Sequence, residues 1–125
     1  MEAHPLAAQL AQFTGSTTFT RHGLVRYLLI TEGVAFLADR AAAHWLVGAI
    51  TSYQHEARVR AEPFQVWGLM VDASTRAAVL TMTDGNSSTP IITQEIDWTD
   101  FPLNDIALWA IAEGDHRVLM LPSEY

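Results

Sequence analysis

Apolar residues recur along this chain in two rhythms, and the rhythm changes at Pro63. Before it the spacing is mostly helical. Pro5 through Phe13 predicts a short helix with Leu6, Leu10 and Phe13 on one face. AAAHWLVGAITSYQHEA (41–57) is alanine-rich and places Trp45, Leu46, Ala49, Ile50 and Tyr53 on one stripe, which predicts a long helix facing a core. Between them, GSTTFTRHG (15–23) is turn-rich, and residues 24–38 allow two readings. The Glu-Gly pair in RYLLITEGVAFLA fits a hairpin with Gly33 at positive φ, while Thr31 as an N-cap fits a helix carrying Val34, Leu37, Ala41 and Trp45. The hairpin is the preferred reading.

After Pro63 the period shortens towards two. FQVWGLMV (64–71), RAAVLTMT (76–83), PIITQEIDW (90–98), IALWAIA (106–112) and RVLML (117–121) each predict a strand. DAST, DGNSS and EGDH supply turns between them, and DFPLND (100–105) interrupts the series. Short turns imply antiparallel neighbours. The expected architecture is a single α+β domain over residues 1–125: an antiparallel meander of about five strands, one long helix packed on a face, and a short N-terminal helix. Alternation assigns Trp67 and Trp98 to the core, Trp98 beside Ile96. Trp109 is open, because both faces of its strand are apolar.

Composition adds mainly exclusions. Half of the 125 residues are apolar and 17 % are charged, as in a globular domain. No apolar run reaches the ~20 residues of a membrane helix, and MEAHPLAAQLAQF lacks the basic-then-apolar order of a signal peptide. A cytoplasmic protein is expected. Without cysteine there is no disulfide, thiolate nucleophile or Cys-ligated zinc.

Charge is distributed unevenly. Residues 1–83 hold six acids and six arginines, so the net −7 resides in residues 84–125, where eight acids face Arg117 alone. Such a region repels a phosphate backbone, which argues against direct nucleic-acid binding and for a basic protein partner. The candidate partner-binding residues are Glu95, Asp97, Asp100, Asp105, Trp109, Glu113, Asp115 and Glu124.

Catalytic signatures are missing: there is no glycine-rich phosphate loop, HExxH, GxSxG or EF-hand spacing. Neither a cofactor nor a metal is expected. His55-Glu56 and the Asp97/Asp100 acids are the alternative, as a small enzyme or metal-binding protein. His44 and His55 share a helix face but lie about 16 Å apart, too far for one metal. A third alternative is a homodimeric module built on the apolar Trp109 strand.

Two motifs contain proline between apolar residues. In TDFPL (99–103), Asp100 is expected to accept from following amides and Phe101 to enter a core. In LPSEY (121–125), Pro122 stops a strand and Tyr125 folds back, so the tail is read as packed, its carboxylate paired with Arg21 or Arg26. The alternative is a tail presented to a partner.

Taken in order, FTG (13–15), TEGVAFLA with AHWL (31–38, 43–46), FQVW (64–67), LT with DGN (80–86), QEI (94–96), TDFPL and LPSEY resemble a family of small bacterial and phage proteins, the domain of unknown function six-eight-seven-six. His44 departs from the family's usual Tyr. The resemblance implies no reaction. Members are frequent in mobile elements, which implies an accessory role directed at a host protein, such as blocking a basic, nucleic-acid-binding site.

Overall fold

The computed structural model describes residues 5–12, 19–21, 28–114 and 116–125. Among the described residues seven strands form one sheet: β1 (Phe19–Arg21), β2 (Leu28–Thr31), β3 (Phe64–Val71), β4 (Ala78–Thr83), β5 (Ile92–Ile96), β6 (Asp105–Glu113) and β7 (His116–Met120). Their spatial order is β1-β2-β7-β6-β3-β4-β5. All pairs are antiparallel except β2 with β7.

This corrects the five-stranded meander. β3, β4 and β5 follow one another as expected, and β6 pairs with β7 through Gly114 at φ 58°. The chain then departs from the meander: β6 docks against β3, not β5, so residues 97–104 carry it back from the sheet edge to the middle. Neighbouring elements alone do not encode that step, because pairing across forty residues is decided by the whole sheet.

Among the described residues four helices precede β3: α1 (Pro5–Leu10), α2 (Glu32–Arg40), α3 (His44–Tyr53) and α4 (Ala57–Arg60). Leu6 and Leu10 of α1 are buried, whereas Phe13 lies outside the described residues. The preferred hairpin over 24–38 is replaced by β2 running into α2. Thr31 caps that helix, its hydroxyl accepting from the Val34 amide at 3.3 Å.

The single long helix is also corrected. Ala42 adopts φ 51° and separates α2 from α3, and the N-cap of α3 is Ala43, with no side chain to signal a start. At the other end Gln54 leaves the helix to join a buried amide cluster. Its Nε2 donates to Gln65 Oε1 at 2.8 Å, and the Trp67 indole donates to the same oxygen at 2.9 Å. Gln65 Nε2 in turn donates to the Val59 carbonyl at 2.8 Å, which ties α4 to β3. These bonds satisfy polar groups that would otherwise be buried at a cost of several kcal/mol, roughly 1–3 each.

The core lies between the helices and one sheet face, which carries Trp67, Leu69, Leu80, Met82, Leu108 and Leu119. Burial at this scale contributes about 1.5–3 kcal/mol per large side chain. On α3 the inward stripe is Leu46, Val47, Ile50 and Thr51, so Trp45 is displaced to the surface. Trp98 is likewise not a core residue. β5 ends at Ile96, alternation ends with it, and Trp98 is 64 % exposed.

Among the described residues none of these four helices covers the opposite sheet face. Phe64, Val66, Trp109, Ile111 and Met120 lie there half-buried, register pairing Val66 with Trp109 and Trp109 with Met120. Tyr125 reaches this face edge-on, its ring centroid 5.5 Å from Trp109, which itself stands 5.2 Å from Phe64.

Candidate docking groove

At one end of the helix-free face the register aligns Asp105, Met70, Val79 and Glu95 in a row across β6, β3, β4 and β5. Three strand spacings put the outer acids about 14 Å apart between Cα atoms. The two apolar members between them are exposed, Met70 to 66 %. The next row on this face, Ala107, Gly68, Thr81 and Thr93, is built of small side chains. A ridge of apolar atoms with an acid at each side therefore stands at the sheet end.

Beside it lies a groove of about 560 Å³, lined by residues 70–72, 77–79 and 95–97. Its carboxylates are Asp72, Glu95 and Asp97, and its apolar wall includes Met70, Val79 and Ile96. Ile96 also lines a smaller recess of about 180 Å³, with Trp45, Trp98, Thr99 and Asp100.

Local turn chemistry sets Asp72 in the groove and, away from it, Asp84. Asp72 follows β3 and closes the DAST turn: its Oδ1 accepts from the Ser74 hydroxyl at 2.7 Å and the Ser74 amide at 2.9 Å. Those bonds favour the ionised form, with the hydroxyl bond largest, and hold the carboxyl below its ordinary value. Asp84 in DGNSS behaves similarly through the amides of Asn86 and Ser87. In TDFPL the expected Asx turn is made one residue earlier. Thr99 is buried and its hydroxyl accepts from the Phe101 amide at 3.1 Å, which leaves Asp100 exposed and aims Phe101 into the core.

Cations are directed elsewhere. Arg76 is the only base within these turns, and it donates to the Thr99 carbonyl at 3.1 Å and to the Phe101 carbonyl. Arg117 donates to the carbonyls of Arg60 and Glu62. Among the described residues the ion pairs within 4.0 Å are Asp39–His44 and Glu56–Arg58, and neither involves a groove acid.

The acids singled out in the sequence thus separate. Glu95, Asp97 and Asp105 gather at the groove end, and Asp100 sits in the adjoining recess. Glu113 closes the far end of β6, about 27 Å from Asp105 along the strand. It shares a 270 Å³ cavity with Thr31, Met120, Glu124 and Tyr125. Asp115 lies outside the described residues. Trp109 stands between the two ends, half-buried against Phe64.

Glu124 is not on the surface: it is 6 % exposed, which removes its side chain from a partner-binding face. Its carboxylate accepts from Thr31 Oγ1 at 2.5 Å, the Leu121 amide at 2.9 Å and the Gly33 amide at 3.2 Å. The tail is a plug through Glu124, while Tyr125 remains 78 % exposed. The pairing of the terminal carboxylate with Arg21 or Arg26 lies outside the described side chains.

The acid/base alternatives do not converge. Asp97 lines the groove and Asp100 the recess. His55 is exposed, Glu56 pairs with Arg58 at 3.0 Å, and His44 pairs with Asp39 at 2.9 Å. Among the described residues no three His, Asp or Glu side chains gather to hold a metal ion. Sequence reasoning missed Asp72, because it lies in the net-neutral first two-thirds, and missed Trp45 and Trp98, because helical spacing assigned the first inward and strand alternation the second. The DAST turn was the available signal for Asp72.

These features define a small α+β protein with one helix-covered and one open sheet face, and an acid-lined groove at the open edge. The chain belongs to DUF6876, a family of unknown function whose model matches residues 4–125. Its fold is similar to that of a protein of unknown function from Enterococcus faecalis, known from a crystal structure. The two share 16 % identity over 86 % of this chain and 98 % of that one, with a TM-score of 0.58. No curated protein matches the chain significantly. No described helix is long and apolar enough to cross a membrane.

Proposed function

We propose that this is a non-enzymatic docking protein that receives a basic segment of a partner protein in the groove of Asp72, Glu95 and Asp97. The observation that carries the reading is the pairing of exposed apolar side chains, Met70 and Val79, with carboxylates that have no cation within 4.0 Å among the described residues. An Arg- or Lys-bearing strand satisfies both: its stems cover the ridge and its charged ends meet the acids. A nucleic-acid-binding surface is the kind of basic site such a groove occupies, and occupying it blocks the partner. This suits a cytoplasmic accessory protein of a phage or mobile element.

The test is fluorescence anisotropy with a labelled peptide alternating Arg and Ile, at low and high salt. Affinity is expected to fall about tenfold or more between 50 and 500 mM NaCl, because the Debye length shrinks several-fold towards 3 Å. The triple variant Glu95→Gln/Asp97→Asn/Asp105→Asn is expected to lose the salt dependence. Equal binding of an uncharged peptide, or an unaffected triple variant, refutes the reading.

A second reading, a homodimer through the helix-free face, is favoured by the half-buried Val66, Trp109, Ile111 and Met120. Sedimentation showing a monomer at 100 µM or about that, where a micromolar dimer would persist, removes it.

A further inference from the structure

The small recess beside the groove has a different composition from the groove itself. Two indoles, Trp45 from α3 and Trp98 from the segment after β5, line the same 180 Å³ space as Asp100. Trp98 is 64 % exposed and Trp45 36 %, an unusual cost for two indole side chains to meet in water. Neither is held outward by lack of a core, since Ile96 and Thr99 beside them are packed inward. Asp100 has no cation within 4.0 Å among the described residues, and Arg76, whose guanidinium reaches the residues flanking it, is bound to the backbone carbonyls of Thr99 and Phe101.

We infer that this recess receives the guanidinium of one arginine of the docked segment, flanked by the Trp45 and Trp98 rings and paired with Asp100. The inference rests on the docking reading and names the side chain that gives it specificity. The chemistry favours arginine over lysine. A guanidinium is planar and weakly hydrated, so it stacks on an indole while its edge donates two parallel hydrogen bonds to a carboxylate. An ammonium makes a point contact and retains its water. A second copy of this chain is a poor occupant, because the groove acids of both copies would meet with like charge.

Ile96 lines both cavities, so a single extended segment crossing the end of β5 reaches them together. Basic residues two apart on a strand project to one side, about 6.7 Å from each other. One arginine then enters the recess and the next meets Glu95 or Asp97.

The experiment compares three peptides of one sequence, carrying arginine, lysine or the uncharged isostere citrulline, against the wild-type protein and the Trp98→Ala and Asp100→Asn variants. Circular dichroism and thermal melts check that the variants fold. The wild type is expected to prefer the arginine peptide over the lysine peptide by about 3- to 30-fold, with indole fluorescence changing on binding. Trp98→Ala is expected to abolish that preference while salt-dependent binding of the lysine peptide persists. A folded Trp98→Ala variant that retains the full arginine preference overturns the recess and leaves the docking reading intact. If neither basic peptide binds the wild type better than the citrulline peptide, both fall.

Discussion

Replacing Glu124 with alanine is expected to remove more stability than any other single change in the last five residues. Glu124 is 6 % exposed, and among the described residues its carboxylate accepts from Thr31 Oγ1, the Gly33 amide and the Leu121 amide. Truncation leaves those three donors buried, and each orphaned donor costs about 1–3 kcal/mol. Partial relaxation and water entry reduce the sum, so the expected loss is about 3–5 kcal/mol. A domain of this size holds roughly 5–15 kcal/mol in total. The melting temperature should therefore drop by roughly 10–20 °C.

The loss is concentrated there because Thr31 serves two elements at once. Its hydroxyl donates to Glu124 and accepts from the Val34 amide, so the C-terminal plug and the N-cap of α2 share one atom. A double-mutant cycle of Glu124→Ala with Thr31→Val should show strong coupling, about 1–3 kcal/mol. Urea unfolding followed by tryptophan fluorescence and far-ultraviolet dichroism measures each corner. Tyr125→Ala is the control: it removes only a ring edge from Trp109 and Phe64, with an expected loss near 1 kcal/mol or about that. A Glu124→Ala protein melting within about 2 °C of the wild type, against the roughly 10–20 °C expected, would show that the plug does not hold α2.

Two further outcomes follow from single contacts. At Gly33 a Cβ would lie 2.6 Å from Leu121 Cδ1 and 2.7 Å from Glu124 Oε1, so Gly33→Ala is expected to destabilise by about 1–3 kcal/mol; an unchanged melt refutes the tight approach. The Asp72 carboxyl, held down first by the Ser74 hydroxyl, should titrate below 3.8 in a carbon-detected NMR experiment, and Ser74→Ala should raise it towards that value. Because the folded value is the lower one, the stabilisation it brings is present above the unfolded value and is lost as pH falls through the folded value, a window lying below pH 3.8. A wild-type midpoint at or above 3.8 would contradict the Asx-turn geometry.

Much of the local structure was legible. The DGNSS turn, the Gly114 hairpin and the strands after Pro63 depend on chemistry acting over three or four residues, whereas the Thr31 cap was the less favoured of two readings. The break at Ala42–Ala43 was not legible, since alanine is a strong helix former and neither residue carries a capping side chain. Trp98 was misplaced for a related reason: alternation reports a face only while the strand lasts, and β5 ends two residues before it. The candidate site was partly visible as an acidic final third, but its membership was not.

Sequence alone determined which segments turn, which alternate, and that the negative charge falls from Asp84 onward. Only the tertiary structure decided that β6 would dock on β3, placing Asp105 in line with Met70, Val79 and Glu95, and that Asp72 would join them from a distant, neutral part of the chain. It also decided that Glu124 would turn inward to the amides at the start of α2. Turns and caps are settled by bonds between near neighbours, whereas strand order and burial are settled by the free energy of the whole sheet and core, to which each residue contributes only a small part.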